Sequence, residues 1–182
     1  ELENNIYRKI KLMLVFLIGF MGCGKSYTGR HLAPLLGYEF VDMDKWIEEK
    51  EGLTINAIFE QKGEEYFRQM ERNYLQQLDT HKNLIISTGG GAPCFYDNMK
   101  VMNEKGITIY LNRAKNKVVE RLIKGQHKRP LLAGLTPEQL ADFYDDRLTA
   151  RKSFYEQAQL HVGDADVEEI AHVLRQKSSI KQ

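Results

Sequence analysis

Short apolar runs alternate along the chain with segments whose apolar residues recur at helical spacing. We predict five strands from the apolar runs, at residues 12–18, 38–41, 83–87, 107–111 and 159–162. Helical spacing predicts helices at residues 27–36, 96–104, 115–124 and 167–176. This alternation indicates βαβ units, in which a parallel sheet carries helices on both faces.

The length of 182 residues fits a single domain, which we place at residues 1–182 with an ordered core at about 12–177. In a parallel α/β sheet, ligands bind outside the carboxyl ends of the strands. The residues that follow each predicted strand are therefore the candidates for chemistry.

A glycine-rich loop follows the first predicted strand. Residues 19–26 read Gly-Phe-Met-Gly-Cys-Gly-Lys-Ser, which matches the phosphate-binding pattern G-x-x-x-x-G-K-[ST] between a strand and a helix. Glycines let the backbone approach the phosphates, Lys25 reaches the β- and γ-phosphates, and the Ser26 hydroxyl can bind Mg²⁺. A glycine-rich turn with a chance lysine is the alternative. The residues predicted to bind ATP here are Gly22, Cys23, Gly24, Lys25, Ser26 and Tyr27.

Two aspartates, Asp42 and Asp44, close the second predicted strand. Because alternate residues of a strand share a face, both would point toward the phosphates. A carboxylate there can hold Mg²⁺, and the third predicted strand ends in hydroxyl groups rather than an acid, so we assign the metal to Ser26 and Asp42. Asp44 would accept a hydrogen bond from the acceptor hydroxyl. Alternatively, one of the aspartates caps a helix that begins near Lys45.

Five motifs in order along the chain together resemble the shikimate kinase family. They are the phosphate loop at 19–26, Phe-Val-Asp-Met-Asp at 40–44, Gly-Glu-Glu-Tyr-Phe-Arg at 63–68, Gly-Gly-Gly at 89–91 and Arg-Pro-Leu-Leu at 129–132. The resemblance runs from about residue 12 to the last predicted helix. It implies an α/β fold of the three-layer αβα P-loop kinase type, with a five-stranded parallel sheet, a substrate-binding region at about 43–70 and a mobile lid at about 124–136.

The resemblance also implies an activity. Members of the family phosphorylate the 3-hydroxyl of shikimate with ATP and Mg²⁺, and the product, shikimate 3-phosphate, leads to chorismate and the aromatic amino acids. By match to the family's motifs, Asp44 would bind the ring hydroxyls, while Arg68 and Arg151 would bind the carboxylate, a task that suits planar guanidinium groups. The substrate would also meet backbone N–H groups of Gly89, Gly90 and Gly91.

Two further arginines enter through the same resemblance. Arg129 would swing in with the lid toward the transferred phosphoryl group, and Arg121 resembles the family's adenine-stacking arginine. Lys25, Asp44 and Arg129 then form the predicted catalytic set. The stretch 160–166 departs from the residues with which family members often contact adenine.

Each arginine of the predicted acid site has an alternative partner. Arg68 lies at helical spacing from Glu64 and Glu71 and could pair with them on its own helix. Arg151 could likewise pair with Asp145 or Asp146, which lie six and five residues before it. Two alternative functions also stay open. One is a related P-loop kinase that acts on gluconate, a nucleoside monophosphate or adenylyl sulfate; the other is a nucleotide-binding regulatory module without an acceptor substrate.

Composition adds little to the chemistry but limits the partners. With 26 basic and 25 acidic residues the net charge is +1, which gives no general footprint for nucleic acid or an anionic membrane. The apolar run at 12–20 is too short to span a bilayer. Two cysteines without metal-ligand spacing favour a reducing compartment. We therefore expect a cytoplasmic monomer whose partners are ATP and shikimate, with no nucleic acid and no membrane.

Overall fold

A computed structural model describes residues 13–180, with residues 128, 130 and 178–180 described by their backbone alone, and these residues fold around a five-stranded parallel sheet. The strands are β1 Leu14–Ile18, β2 Glu39–Asp42, β3 Leu84–Ser87, β4 Gly106–Leu111 and β5 Leu160–Val162. Their order across the sheet is β2-β3-β1-β4-β5, and every neighbouring pair is parallel. Four of the predicted strands are confirmed to within a residue at each end, and the first is confirmed but begins at Leu14 rather than at residue 12. Residues 1–12 and 181–182 of the predicted domain lie outside the described residues, and residue 12 of the first predicted strand is among them.

Seven helices within the described residues cover the sheet. They are α1 Lys25–Leu36, α2 Met43–Glu51, α3 Ile55–Gln77, α4 Asn98–Lys105, α5 Lys115–Lys124, α6 Pro137–Tyr155 and α7 Val167–Ile180. The four predicted helices are confirmed as α1, α4, α5 and α7. However, α4 begins at Asn98 rather than at residue 96, because Tyr96 has a positive φ of 49° that no α-helix accommodates. The periodicity did not delimit α2, α3 and α6, although the capping alternative placed the start of a helix near Lys45.

The central strand β1 is buried on both faces and separates two apolar clusters. Val15 and Leu17 belong to a cluster with side chains from α1, α5 and α7, while Leu14, Phe16 and Ile18 belong to a cluster with side chains from α2, α3 and α4. This alternation follows the period of two in a strand, and α6 contributes to both clusters. The result is the predicted three-layer αβα arrangement.

Two of the three helices that the periodicity did not delimit, α3 and α6, have clear start signals. The Thr54 side chain accepts a hydrogen bond from the Ala57 N–H group at the start of α3. Thr136 and Gln139 form a reciprocal capping box at the start of α6. Within α3, Gly63 has a φ of 81°, so the helix is two helical segments joined by a kink that glycine permits. These helices carry Arg68 and Arg151, respectively.

The predicted lid, at about 124–136, joins α5 to α6 through two short 3₁₀ turns, Gln126–Lys128 and Pro130–Leu132. The Gln126 side-chain amide donates hydrogen bonds to the backbone carbonyls of Leu132 and Leu135, at 2.5 and 2.8 Å. These bonds hold the two turns together, and the mobility of the segment stays a prediction. Within residues 13–180, no helix combines the length and apolarity that crossing a membrane requires.

Candidate active site

The loop between β1 and α1 folds back over the side chain of its own lysine. Lys25 Nζ donates hydrogen bonds to the carbonyl oxygens of Gly19 and Phe20, at 2.8 and 3.0 Å, and the side chain is 8% exposed. Gly22 and Gly24 have φ values of 79° and 93°, which turn the loop around the ammonium group. The loop therefore holds a fixed cation beside the N-terminus of α1, where backbone N–H groups favour anions.

Three oxygen donors meet where α1, β2 and β3 converge. Ser26 Oγ donates a hydrogen bond to Asp42 Oδ2 at 2.6 Å and lies 3.2 Å from Ser87 Oγ. Asp42 ends β2 and pairs in register with Ser87 of β3. The other oxygen of Asp42, Oδ1, accepts a hydrogen bond from the Lys45 N–H group at 3.4 Å and caps α2. Asp42 therefore caps α2 with Oδ1, while its Oδ2 stays beside Ser26, where the metal is predicted.

A cavity of about 380 Å³ opens beside this cluster. Its lining consists of Met21, Gly22, Gly24, Lys25, Ser26, Tyr27, Asp42, Asp44, Ser87, Thr88, Gly90, Arg121 and Arg129. Ten of the predicted site residues are among them. The others, Cys23, Arg68, Gly89, Gly91 and Arg151, do not line the cavity, and the Cys23 side chain is buried in the apolar core.

The strand-alternation argument for Asp44 is wrong, although Asp44 does line the cavity. Strand β2 ends at Asp42, whose side chain starts α2, so Asp44 lies in the first turn of that helix. Its Oδ1 atom is buried and has no hydrogen-bond partner within residues 13–180. Burial, reinforced by the negative charge of Asp42, raises the pKa of Asp44 to about 6.

Arg68 pairs with two acids of its own helix, as the alternative to substrate binding proposed. Its Nη1 atom donates to Glu71 Oε2 at 2.8 Å, and its Nη2 and Nε atoms donate to Glu64 Oε1 at 2.9 and 3.1 Å. Glu71 has no exposed surface, whereas the Glu64 side chain is 55% exposed. Burial raises the pKa of Glu71 to about 7 despite the adjacent guanidinium. Arg68 is therefore held in a mostly buried ionic cluster.

The glycines after β3 lie directly against both predicted acid-binding arginines. A Cβ atom placed on Gly91 would be 2.7 Å from both Nη atoms of Arg68, and one placed on Gly90 would be 3.5 Å from Nη1 of Arg151. The Tyr155 hydroxyl, one turn beyond Arg151 on α6, donates to the Gly90 carbonyl at 2.6 Å. The glycine run thus brings α3 and α6 to a common point.

Gly89 lies at the meeting point of two buried carboxyl groups. A Cβ atom there would be 2.6 Å from Glu71 Oε1 and 2.9 Å from Asp44 Oδ1. These are the same two oxygens that lack a hydrogen-bond partner in the described part of the chain. Unsatisfied buried acceptors cost free energy, so this point favours a donor such as a hydroxyl group.

The alternative pairing of Arg151 is not observed. Asp145 pairs with Lys115 at 2.5 Å, and the ion pairs formed within residues 13–180 do not join Arg151 to Asp145 or Asp146. Its guanidinium, next to Gly90, is therefore not committed to an acid on its own helix.

The predicted nucleotide-side arginines both line the cavity. Arg121 Nη1 donates to the Gly22 carbonyl at 3.4 Å, and Arg129 Nη1 donates to the Gly125 carbonyl at 3.2 Å. Burial lowers the pKa of the Arg129 guanidinium. Tyr27 is 65% exposed and its ring packs on His31 with centroids 4.1 Å apart. The cavity lining thus includes one exposed aromatic ring and two arginines.

Comparison with known proteins identifies the group to which this architecture belongs. A family model described as shikimate kinase matches residues 21–179. The chain is 40% identical to a shikimate kinase of Parabacteroides distasonis over 166 residues, which are 88% of this chain and 96% of that protein. The chain belongs to the shikimate kinase family.

Solved structures of family members have the same fold. The shikimate kinase of Bacteroides thetaiotaomicron superposes with a TM-score of 0.84 at 37% identity, covering 92% of this chain and 99% of that one. The shikimate kinase of Acinetobacter baumannii, in complex with shikimate, superposes with a TM-score of 0.80 at 36% identity, covering 95% of this chain and 97% of that one. The predicted family, its P-loop kinase fold and a phosphotransferase activity are thereby confirmed. The roles of individual residues stay predictions.

Four residues at or beside the cavity are missing from the predicted site. Met21, Ser87 and Thr88 line the cavity. Glu71, on α3, accepts a hydrogen bond from Arg68. Ser87 carried a signal, because it ends a strand, but only the strand order puts it beside Asp42. Glu71 was considered solely as a competing partner of Arg68, since spacing on a helix does not reveal that a carboxyl group is fully buried.

Proposed function

We propose that this protein transfers the γ-phosphoryl group of ATP to the 3-hydroxyl of shikimate, which forms ADP and shikimate 3-phosphate. One observation carries the proposal: Asp44, Arg68 and Arg151 converge on the glycine run 89–91, beside the cavity that contains Lys25. A ring that carries a carboxylate and hydroxyl groups fits such a point. Guanidinium groups of the protein would bind its carboxylate, and a carboxylate of the protein would accept a hydrogen bond from a ring hydroxyl.

The triphosphate would lie on the loop at 19–26. Backbone N–H groups of the loop and of the first turn of α1 bind phosphate oxygens, and Lys25 exchanges its carbonyl partners for the β- and γ-phosphates. Arg121 and Tyr27 line the same cavity and would meet the rest of the nucleotide.

The carboxylate of the acceptor would displace only the contact between Arg68 and Glu64, which is exposed to solvent and contributes little stability. Glu64 is largely in solvent and can turn away, while the buried Glu71 keeps its bond to Nη1 and fixes the guanidinium. Arg151 would bind the same carboxylate from α6. Asp44 would accept a hydrogen bond from the ring hydroxyl through Oδ1, the oxygen without a partner in the described residues.

Phosphoryl transfer depends mostly on positioning and charge, because the protein has little covalent chemistry to perform. Lys25 and Arg129, which both line the cavity, would neutralise the transferred group. At pH above about 6 Asp44 is ionised and orients the hydroxyl for in-line attack. Orientation of this kind can contribute several kcal/mol, on the order of 5, to the rate.

The oxygen cluster fits Mg²⁺. Ser26 and Asp42, with Ser87 adjacent, offer the hard oxygen ligands that this ion prefers, in a set with one carboxylate that leaves room for phosphate oxygens. When bound, Mg²⁺ would neutralise charge on the β- and γ-phosphates. Asp42→Asn keeps a good helix cap but loses the charge, so the half-saturating Mg²⁺ concentration should rise about tenfold or more. Ser87→Ala is the milder control, and an unchanged Mg²⁺ dependence in Asp42→Asn would contradict the assignment.

A coupled ADP-release assay with a panel of hydroxy acids tests the activity. We expect turnover with shikimate and only background with gluconate or a nucleoside monophosphate. Turnover with gluconate but not with shikimate would show that gluconate is the acceptor. ATP binding without turnover of any acid would favour a regulatory module. Location in the cytoplasm and a monomeric state remain proposals, which fractionation and light scattering check.

A further inference from the structure

The segment between the 3₁₀ turn Ala92–Cys94 and α4 is attached to one face of α3. Glu65, Arg68 and Arg72 lie on that face at positions i, i+3 and i+7. Glu65 accepts a hydrogen bond from the Tyr96 hydroxyl, the Arg68 guanidinium lies 4.2 Å from the centroid of the Phe95 ring, and Arg72 lies 4.9 Å from that of Tyr96. We call these three contacts the α3 clasp.

Tyr96 adopts a backbone conformation that the clasp must maintain. Its φ of 49° is the sole positive value for a non-glycine residue among residues 13–180. A bulky side chain in this region costs on the order of 1 kcal/mol and persists only where its surroundings hold it. Both ends of the Tyr96 side chain, the ring and the hydroxyl, are bound to α3. An ion pair of 3.4 Å between Arg72 and Asp97 adds to the attachment.

The strained turn decides where the preceding ring points. Phe95 ends the 3₁₀ turn in extended geometry, with φ −119°, and the Arg68 guanidinium carbon lies over its ring. Glu64 and Glu71 bind the edge of the same group. An arginine that contacts an aromatic ring and is hydrogen-bonded to two carboxylates has few orientations open to it before any ligand arrives.

We propose that the α3 clasp, through Phe95, is a positioning device that sets the Arg68 guanidinium for the carboxylate of the acceptor. The inference rests on the role proposed above for Arg68. It assigns to Phe95 and Tyr96 an effect on acceptor affinity, although neither residue lines the cavity. A planar fork that is already oriented loses less entropy on forming a bidentate pair.

Phe95→Leu removes the aromatic face and keeps an apolar side chain. We expect the KM for shikimate to rise about tenfold, with kcat and the KM for ATP within about twofold of the wild type, since a partly desolvated cation–π contact is lost. Tyr96→Phe, which loses only the bond to Glu65, should raise the same KM about threefold. Phe95→Tyr retains the aromatic face and should restore wild-type values.

Tyr66→Phe is the matched control, because Tyr66 also lies on α3 and also donates its hydroxyl to a glutamate, here Glu51 on α2. It should leave the KM for shikimate unchanged. The methyl ester of shikimate, which lacks the carboxylate charge, supplies a second readout. With the ester, the difference between the wild type and Phe95→Leu should disappear.

Arg68→Ala separates failure of this inference from failure of the proposed function. If Arg68→Ala raises the KM for shikimate but Phe95→Leu does not, the clasp has no positioning role and the function stands. Should Arg68→Ala leave that KM unchanged, the carboxylate role itself is wrong. A Phe95→Leu protein that melts earlier and shows equal increases in both KM values would make the contact merely structural, which also overturns the proposal.

Discussion

The two halves of the active site are built in opposite ways. The phosphate loop comes from eight consecutive residues, and its lysine is satisfied by carbonyl groups of the same loop. The acid pocket, by which we mean the proposed site of the acceptor around Asp44, Arg68 and Arg151, is assembled from α2, α3, the glycine run and α6. It contains two buried carboxyl oxygens without a partner within residues 13–180. The loop is thus complete through local backbone geometry, whereas the acid pocket contains polar groups that a ligand would satisfy.

The largest effect should come from the loop. Lys25→Ala should lower kcat about a thousandfold, because it removes the fixed positive charge from the transferred phosphoryl group. The melting temperature should change by less than about 3 °C, since Lys25 lines the cavity and water there can replace the ammonium as a donor to the Gly19 and Phe20 carbonyls. Steady-state kinetics and thermal denaturation measure the two quantities. Lys100→Ala, at an exposed lysine of α4, is the control, and wild-type activity in Lys25→Ala would refute the phosphate role.

The acid pocket should respond in both binding and stability. Arg68→Ala should raise the KM for shikimate about a hundredfold and leave the KM for ATP unchanged, as expected when one partner of a buried ionic contact is truncated. It should also lower the melting temperature, since Glu71 would be left buried without its counter-charge. Combining Arg68→Ala with Glu71→Gln should recover stability but not affinity. A loss of ATP affinity with unchanged shikimate affinity would reverse the assignment of the two halves.

Between pH 5 and 8 the acid pocket should make the stability of the protein depend on pH. The pKa of Glu71 is raised from its usual 4.5 to about 7, so the folded protein binds this proton more tightly than the unfolded chain. Its contribution to the free energy of unfolding is full below pH 4.5 and is lost as the pH rises through 7. Glu71→Gln should therefore reduce the fall in melting temperature between pH 5 and 8 by roughly 5 °C. Glu120→Gln, at an exposed acid of α5, should leave that fall unchanged, and an identical pH profile in Glu71→Gln would contradict the raised pKa.

The smallest effect should lie at the outer end of the nucleotide side. Tyr27→Ser removes an exposed ring that lines the cavity, so the KM for ATP should rise about threefold while the KM for shikimate stays the same. Initial-rate measurements with each substrate varied in turn distinguish the two constants. An altered shikimate KM would mean that Tyr27 belongs to the other half.

The same contrast explains what the sequence could predict. Lys25 and Ser26 follow from a local motif whose geometry is set by its own glycines, and the apolar runs located the strands to within two residues at each end. Asp44 was assigned to the correct cavity for the wrong reason, because the residue that ends β2 also starts α2. The pairing of Asp42 with Ser87 depends on strand order, which no local pattern contains.

The long helices and the acid cluster were the hardest to anticipate. In α6 the apolar residues contact both clusters, so they do not form a single stripe, and in α3 the kink at Gly63 breaks the register. The helical spacing of Arg68 and Glu71 was visible, but their burial comes from Phe95 and the glycine run, which are distant in sequence. Family resemblance, rather than periodicity, named Arg68 and Arg151.

Asp42 connects the two halves through a single side chain. One of its oxygens accepts the Ser26 hydroxyl, and the other accepts the N–H group that starts α2, the helix that carries Asp44 two residues later. Asparagine at this position would retain the helix start and lose the charge, whereas alanine would lose both. An engineer who wishes to retune metal preference without disturbing acceptor recognition therefore has to keep a residue that caps α2 at this position, or work at Ser87.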